Sequence, residues 1–196
     1  MKNLIVLSLI LALSACSGYD DTAAFKHLVL PPYTETGANT FGCLINGAVW
    51  ANFGEDNVKS LEPLGGRHLV PNKVNANVFW DGTKVDTVFT VDAEFTLSKH
   101  GTDTRQESMS ITIPKNGNLK GVHQLTSYDF QLRYTNWITG AEHLSFISSP
   151  FTVIIKKDTI EGNRHIVSGT FNGTIYNGFR TDSLRITAGV FDTVLP

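Results

Sequence analysis

The run VDTVFTVDAEFTL, Val85 to Leu97, decides how this chain is read. Val85, Phe89, Val91, Ala93, Phe95 and Leu97 occupy odd positions, while Lys84, Asp86, Thr90, Asp92, Glu94 and Thr96 occupy even ones. Side chains on an extended backbone alternate between its two faces, so this spelling predicts a strand with one buried face and one wet face. Upstream, Val74 to Trp80 reads as a partner strand joined through Asp81 and Gly82, a hairpin turn.

The same alternation recurs in both directions from that hairpin. Phe41, Cys43 and Ile45 form a first strand, and the turn Asn46-Gly47 leads into a second with Val49 and Trp50. After a polar stretch from Gly54 to Gly66, with one helical turn expected near Asn57 to Leu61, come the Val74 and Val85 strands. Ser98 to Glu107 is polar and reads as a loop; Met109, Ile111 and Ile113 then make a strand that stops at Pro114. Tyr128 to Tyr134, Leu144 with Phe146, Phe151 to Ile155, Val167 to Ile175 and Leu184 to Val190 supply the rest. The expected fold is all-β: an antiparallel β-sandwich or partly open barrel of roughly nine to eleven strands. At 196 residues the chain has room for one such domain, residues 40–196, behind a targeting segment.

That segment is residues 1–15. Lys2 precedes an apolar run from Leu4 to Leu13, too short to span a bilayer and suited to a cleaved signal helix. Its ending, Leu13-Ser14-Ala15-Cys16, resembles a bacterial lipobox, in which the cysteine is acylated, as with palmitate, and becomes the mature N-terminus. That resemblance implies lipidation of Cys16, residues 16–39 as a lipidated tether, and a membrane partner through several acyl chains at about 0.8 kcal/mol per buried CH₂. Asp20 and Asp21 weakly resemble the acidic signal that carries some Bacteroidota lipoproteins to the outer face of the cell. The expected location is therefore the outer membrane, on its periplasmic or surface face.

Two further stretches resemble a family of uncharacterised Bacteroidota lipoproteins. One is the entry segment, Pro31, Pro32, Thr34 and Gly37 leading into Asn39, Thr40, Phe41, Gly42, Cys43, Leu44 and the Asn46-Gly47 turn. The other is C-terminal: Ser168, Gly169, Thr170, Phe171, Gly173, Thr174, then Ile186, Thr187, Gly189, Phe191 and Asp192. The resemblance covers both ends of the domain and brings no activity with it.

Composition narrows the function classes. A formal charge of −2 with 17% charged residues offers no basic field for nucleic acid. The histidines, His27, His68, His100, His123, His143 and His165, show no pair at the spacing that sets two ligands on one face, so no metal or other cofactor is expected. Cys43 alternates with Phe41 and Ile45, which places it in the core rather than in a nucleophilic site. Asp92 and Glu94 share the wet face of their strand, a pair to weigh for glycoside cleavage but one without the desolvation that raises an acid's pKa. No phosphate loop, nucleophile elbow or nucleotide fingerprint occurs, and no catalytic residue is assigned.

The aromatics are the stronger lead. Trp50, Trp80 and Trp137 are candidate ligand-stacking residues, fitting a glycan or an envelope protein as partner. Five triplets of Asp, then Thr or Ser, then an apolar residue resemble the Bacteroidota O-glycosylation sequon, with Thr22, Thr87, Thr159, Ser183 and Thr193 as acceptors. Three readings follow: a lipid-anchored non-catalytic binding or structural domain, an envelope glycoside hydrolase, and a lipocalin-like carrier with an apolar cavity.

Overall fold

The Val85 to Leu97 pattern matures into one of the longest strands of the protein. In a computed structural model, which describes residues 28–55, 69–71, 74–80, 87–99, 102–115, 117–125, 131–145, 149 and 151–196, every regular element is a strand. In chain order they are β1 (Thr40–Ile45), β2 (Ala48–Ala51), β3 (Phe53–Glu55), β4 (Leu69–Pro71), β5 (Asn75–Trp80), β6 (Thr87–Lys99) and β7 (Thr102–Lys115). Then come β8 (Gly121–Leu125), β9 (Leu132–Asn136), β10 (Ala141–Leu144), β11 (Phe151–Glu161), β12 (Arg164–Asn177) and β13 (Ser183–Leu195). The thirteen exceed the expected number partly because β3 and β4 are three-residue pieces. The signal segment, the helical turn expected near residues 57–61 and the turn at Asp81-Gly82 lie outside the described residues.

All strands belong to one curled sheet, ordered β2-β1-β13-β12-β10-β9-β7-β6-β3-β4, with β11 and β8 branching from β12 and β5 from β6. Pairing is antiparallel except where Gly54 of β3 meets Thr96 of β6. Among the described residues the path does not close into a barrel. Curling instead brings the β1–β13 side over β6 and β7: Phe89 lies 6.4 Å from Phe191, and Cys43 Sγ lies 4.0 Å from Met109 Sδ.

Aromatic rings fill the space this creates. Phe41 sits 5.0 Å from Phe171, 6.4 Å from Phe191 and 5.9 Å edge-on from Trp50. The glycines of the C-terminal motif make room for them. Phe171 is registered opposite Gly189, and Phe191 opposite Gly169, so each ring covers the glycine across from it. A Cβ on Gly169 would stand 2.9 Å from Phe191 Cζ. Burying a Phe side chain is worth about 1.5–3 kcal/mol, and these reciprocal pairs collect it without crowding.

Curvature comes from a bulge in β13. Its neighbours step from Gly42 to Leu44 and from Phe171 to Gly173, while β13 steps from Val190 to Thr187 and from Gly189 to Ile186. The extra residue bends the strand against both partners at once, and Ala188 within it has φ +50.

Two sequence expectations are corrected. Ser98 to Glu107 is not a loop: β6 and β7 stay paired as far as Lys99 opposite Thr102. The charges that suggested solvent neutralise each other, Arg105 Nε donating to Glu107 at 2.6 Å while its guanidinium lies 4.5 Å over the Phe95 ring. Nor is residues 16–39 a tether throughout. Leu28 packs on the core, and residues 31–38 form a strap bound to the outer face of the sheet.

The strap is held by one carboxylate. Asp192, fully buried, accepts from the Thr34 hydroxyl at 2.6 Å and from the backbone N–H groups of Thr36, Gly37 and Ala38 at 2.9 to 3.0 Å. Gly37, φ +72, is the residue that fits: a Cβ there would strike Val194 and Arg164. Pro31 covers Gly42, Lys157 Nζ donates to Glu35 O at 2.6 Å, and Arg164 donates to Gly37 O at 2.9 Å.

Candidate contact site at the hairpin tips

Asn136 and Asn177 each build a turn. Asn136 Oδ1 accepts from the N–H groups of Ile138 and Thr139 at 3.1 and 3.0 Å; Asn177 Oδ1 accepts from Thr181 at 2.9 Å. An asparagine side chain that closes its own turn frees the following residues from any packing duty. Here those residues are large and apolar: Trp137 is 59% exposed, Ile138 52% and Phe179 90%.

The two turns are neighbours. His143 of β10 pairs with Asn177 of β12, and continuing that register toward Ala141 runs the β9–β10 turn alongside the β12–β13 turn. A side-chain bond joins them, His143 Nε2 donating to Asp182 Oδ2 at 3.0 Å. That bond, helped by the Ser183 N–H, holds the Asp182 carboxyl below the usual carboxylate range. His143 Nδ1 is buried without a hydrogen-bond partner. The β1–β2 turn lies at the same end, because Asn46 N–H donates to Arg185 O and Asn46 Oδ1 accepts from Arg185 N–H. Trp137 is itself fixed, its indole N–H reaching Ser108 Oγ at 3.1 Å and its backbone N–H reaching Gln106 O at 2.9 Å.

The other stacking candidates fare differently. Trp50 is corrected: it is 1% exposed, and its indole N–H donates to Glu107 at 2.9 Å, so no ligand reaches its face. The side chain of Trp80 lies outside the described residues, as do Cys16 and Thr22. Among the glycan acceptors, Thr159 and Ser183 are exposed and Thr87 is half-buried within β6. Thr193 is corrected, being fully buried beside the Asp192 clasp. Ile138 and Phe179 escaped the sequence reading. Their signal was an apolar residue placed just after a turn-closing asparagine.

Among the described residues, several titratable groups are already paired. Buried Glu107 is engaged by Arg105 and Trp50, and burial followed by the Glu107 charge pushes the neighbouring Tyr134 phenol up. Glu94 is exposed and Asp92 half-buried on the outer face. His165 pairs with Asp158 at 2.5 Å, and burial pushes the Cys43 thiol up. Among the described residues no three His, Cys, Asp or Glu side chains converge, and two open clefts of about 300 and 290 Å³ meet at Leu195 and Pro196.

Comparison with models of known families, with characterised proteins and with solved structures finds no match for this chain.

Proposed function

We propose that this chain is a lipid-anchored protein of the bacterial outer membrane, of a kind with the Bacteroidota lipoproteins its motifs resemble, whose β-domain acts by contact rather than catalysis. The observation that carries the reading is the exposure of Trp137, Ile138 and Phe179 on adjacent turns that the Asn136 and Asn177 side chains tie. Isolated apolar residues on a surface are ordinary, but a rigid aromatic beside two more large apolar groups marks an interaction site. An aromatic-packed core within an open sheet speaks against the carrier reading, and the engaged state of Glu107 gives the hydrolase reading no support. Thr159 and Ser183 are the accessible glycan acceptors of the domain.

An alkyne-tagged fatty acid fed to expressing cells tests the anchor: label is expected on the wild type and absent from Cys16→Ser. Label retained by Cys16→Ser, or missing from the wild type, would remove it. Trp137→Ala and Phe179→Ser then test the contact, which is expected to weaken with the fold intact.

A further inference from the structure

Resting on that reading, we infer that the partner of the hairpin tips is the bilayer itself: Trp137, Ile138 and Phe179 enter the boundary between headgroups and acyl chains. The first argument is backbone accounting. A peptide N–H carried into an apolar medium without a partner costs several kcal/mol, so a segment that dips into lipid gains from satisfying most of its own donors and keeps the rest at the headgroups. At the β9–β10 turn, Trp137 N–H is bonded to Gln106 O, those of Ile138 and Thr139 to Asn136 Oδ1, and that of Ala141 to Thr139 Oγ1. At the β12–β13 turn, Arg180 N–H is bonded to Asn177 O, those of Thr181 and Asp182 to Asn177 Oδ1, and that of Ser183 to Asp182 Oδ1, while the N–H groups of Gly140, Gly178 and Phe179 have no such partner among the described residues and would stay at the depth of the wet headgroups.

The second argument is shape and residue type. The apolar groups project from turns, whereas sugar stacking calls for a shelf ringed by hydrogen-bonding side chains. Tryptophan is enriched at membrane interfaces, where its ring meets lipid and its N–H a polar partner such as Ser108 Oγ here, and exposed Arg180 and Arg185 flank the tip where lipid phosphates would lie.

Direction supplies the third. β1 starts at Thr40 opposite Asp192 and runs toward the tips. The strap lies along it the other way, from Pro31 over Gly42 to Gly37 over Val194, so the chain enters from the tip side. Residues 16–27 reach at most about 40 Å from Leu28, which keeps the tips within range of the leaflet that holds Cys16.

The test uses the full lipid-bearing chain in phosphatidylethanolamine and phosphatidylglycerol vesicles, with and without brominated acyl chains that quench tryptophan on contact. Wild-type emission is expected to be quenched, with quenching falling roughly threefold in Trp137→Phe and in the Ile138→Ser, Phe179→Ser double variant. Ile160→Ser, an exposed apolar residue at the far end of the sheet, is expected to change nothing. Emission indifferent to bromine, or quenching unchanged in Trp137→Phe, overturns the inference. Because the acyl label on Cys16 reads the anchor separately, a labelled chain whose emission ignores brominated lipid removes the bilayer contact and leaves the anchored reading standing.

Discussion

Gly37 and Asp192, 155 positions apart, meet through N–H···O contacts of 2.9 and 3.0 Å to the two oxygens of one buried carboxylate. Asp192→Ala removes the acceptor for several strap donors and is expected to cost about 3–5 kcal/mol; Asp192→Asn, which keeps one oxygen, about 2 kcal/mol. Urea unfolding of both variants checks the order. A smaller loss in Asp192→Ala than in Asp192→Asn would mean that the strap is not held this way.

The same carboxylate makes stability depend on acid. Burial alone would raise the Asp192 pKa, but the bonds from the Thr34 hydroxyl and from the Ala38, Gly37 and Thr36 N–H groups outweigh it and lower the folded-state value. A lowered folded pKa gives stability that is complete above the ordinary range near about 4 and is lost as pH falls through the folded value. Denaturant midpoints below that range are expected to drop more steeply in the wild type than in Asp192→Asn.

Gly189→Ala would drive a methyl group into the ring of Phe171, and Gly169→Ala would put one 2.5 Å from Ile154 O. Each is expected to lose about 2–3 kcal/mol, seen as a lowered Tm with shifted aromatic proton resonances. Retained Tm in both would show that the rings are free to move aside.

Ala188→Gly should move stability the other way. Its φ of +50 costs an L side chain about 1–2 kcal/mol, partly offset by the greater freedom of glycine in the unfolded chain. A gain of about 0.5–1 kcal/mol by thermal unfolding is the expected result.

Trp50→Phe keeps an aromatic ring but loses the pyrrole half of the indole and its donor to Glu107, leaving a small void and a carboxylate, 4% exposed, one hydrogen bond short. The expected loss is about 2 kcal/mol. Cys43, fully buried with its thiol pKa pushed up, is expected to resist an aromatic disulfide reagent until the protein unfolds. Modification of the native protein at the rate of a free thiol would contradict the packing against Met109.

The sheet was readable wherever side chains alternated, as from Phe89 to Phe95 and from Val167 to Ile175, because period two has one explanation. Reading failed where a residue's meaning lay in a distant partner. Arg105 and Glu107 look like loop residues until Phe95 and Trp50 are brought beside them. Thr34 to Ala38 looks like linker because its acceptor is on the last strand. Trp50 and Trp137 were indistinguishable as letters, one being drawn inward by a buried carboxylate and the other left outside on a closed turn. The resemblance motifs at the two chain ends turned out to be facing halves of a single clasp.

That clasp sets an order of events for the newborn chain. Thr34 leaves the ribosome long before Asp192, and twelve strands are synthesised before the one that can receive it. Until β13 emerges, the outer face of β1 is bare and the entry segment has nothing to grip, so a partly made molecule has no stable native form. Such late completion keeps the polypeptide slack until its final strand is released.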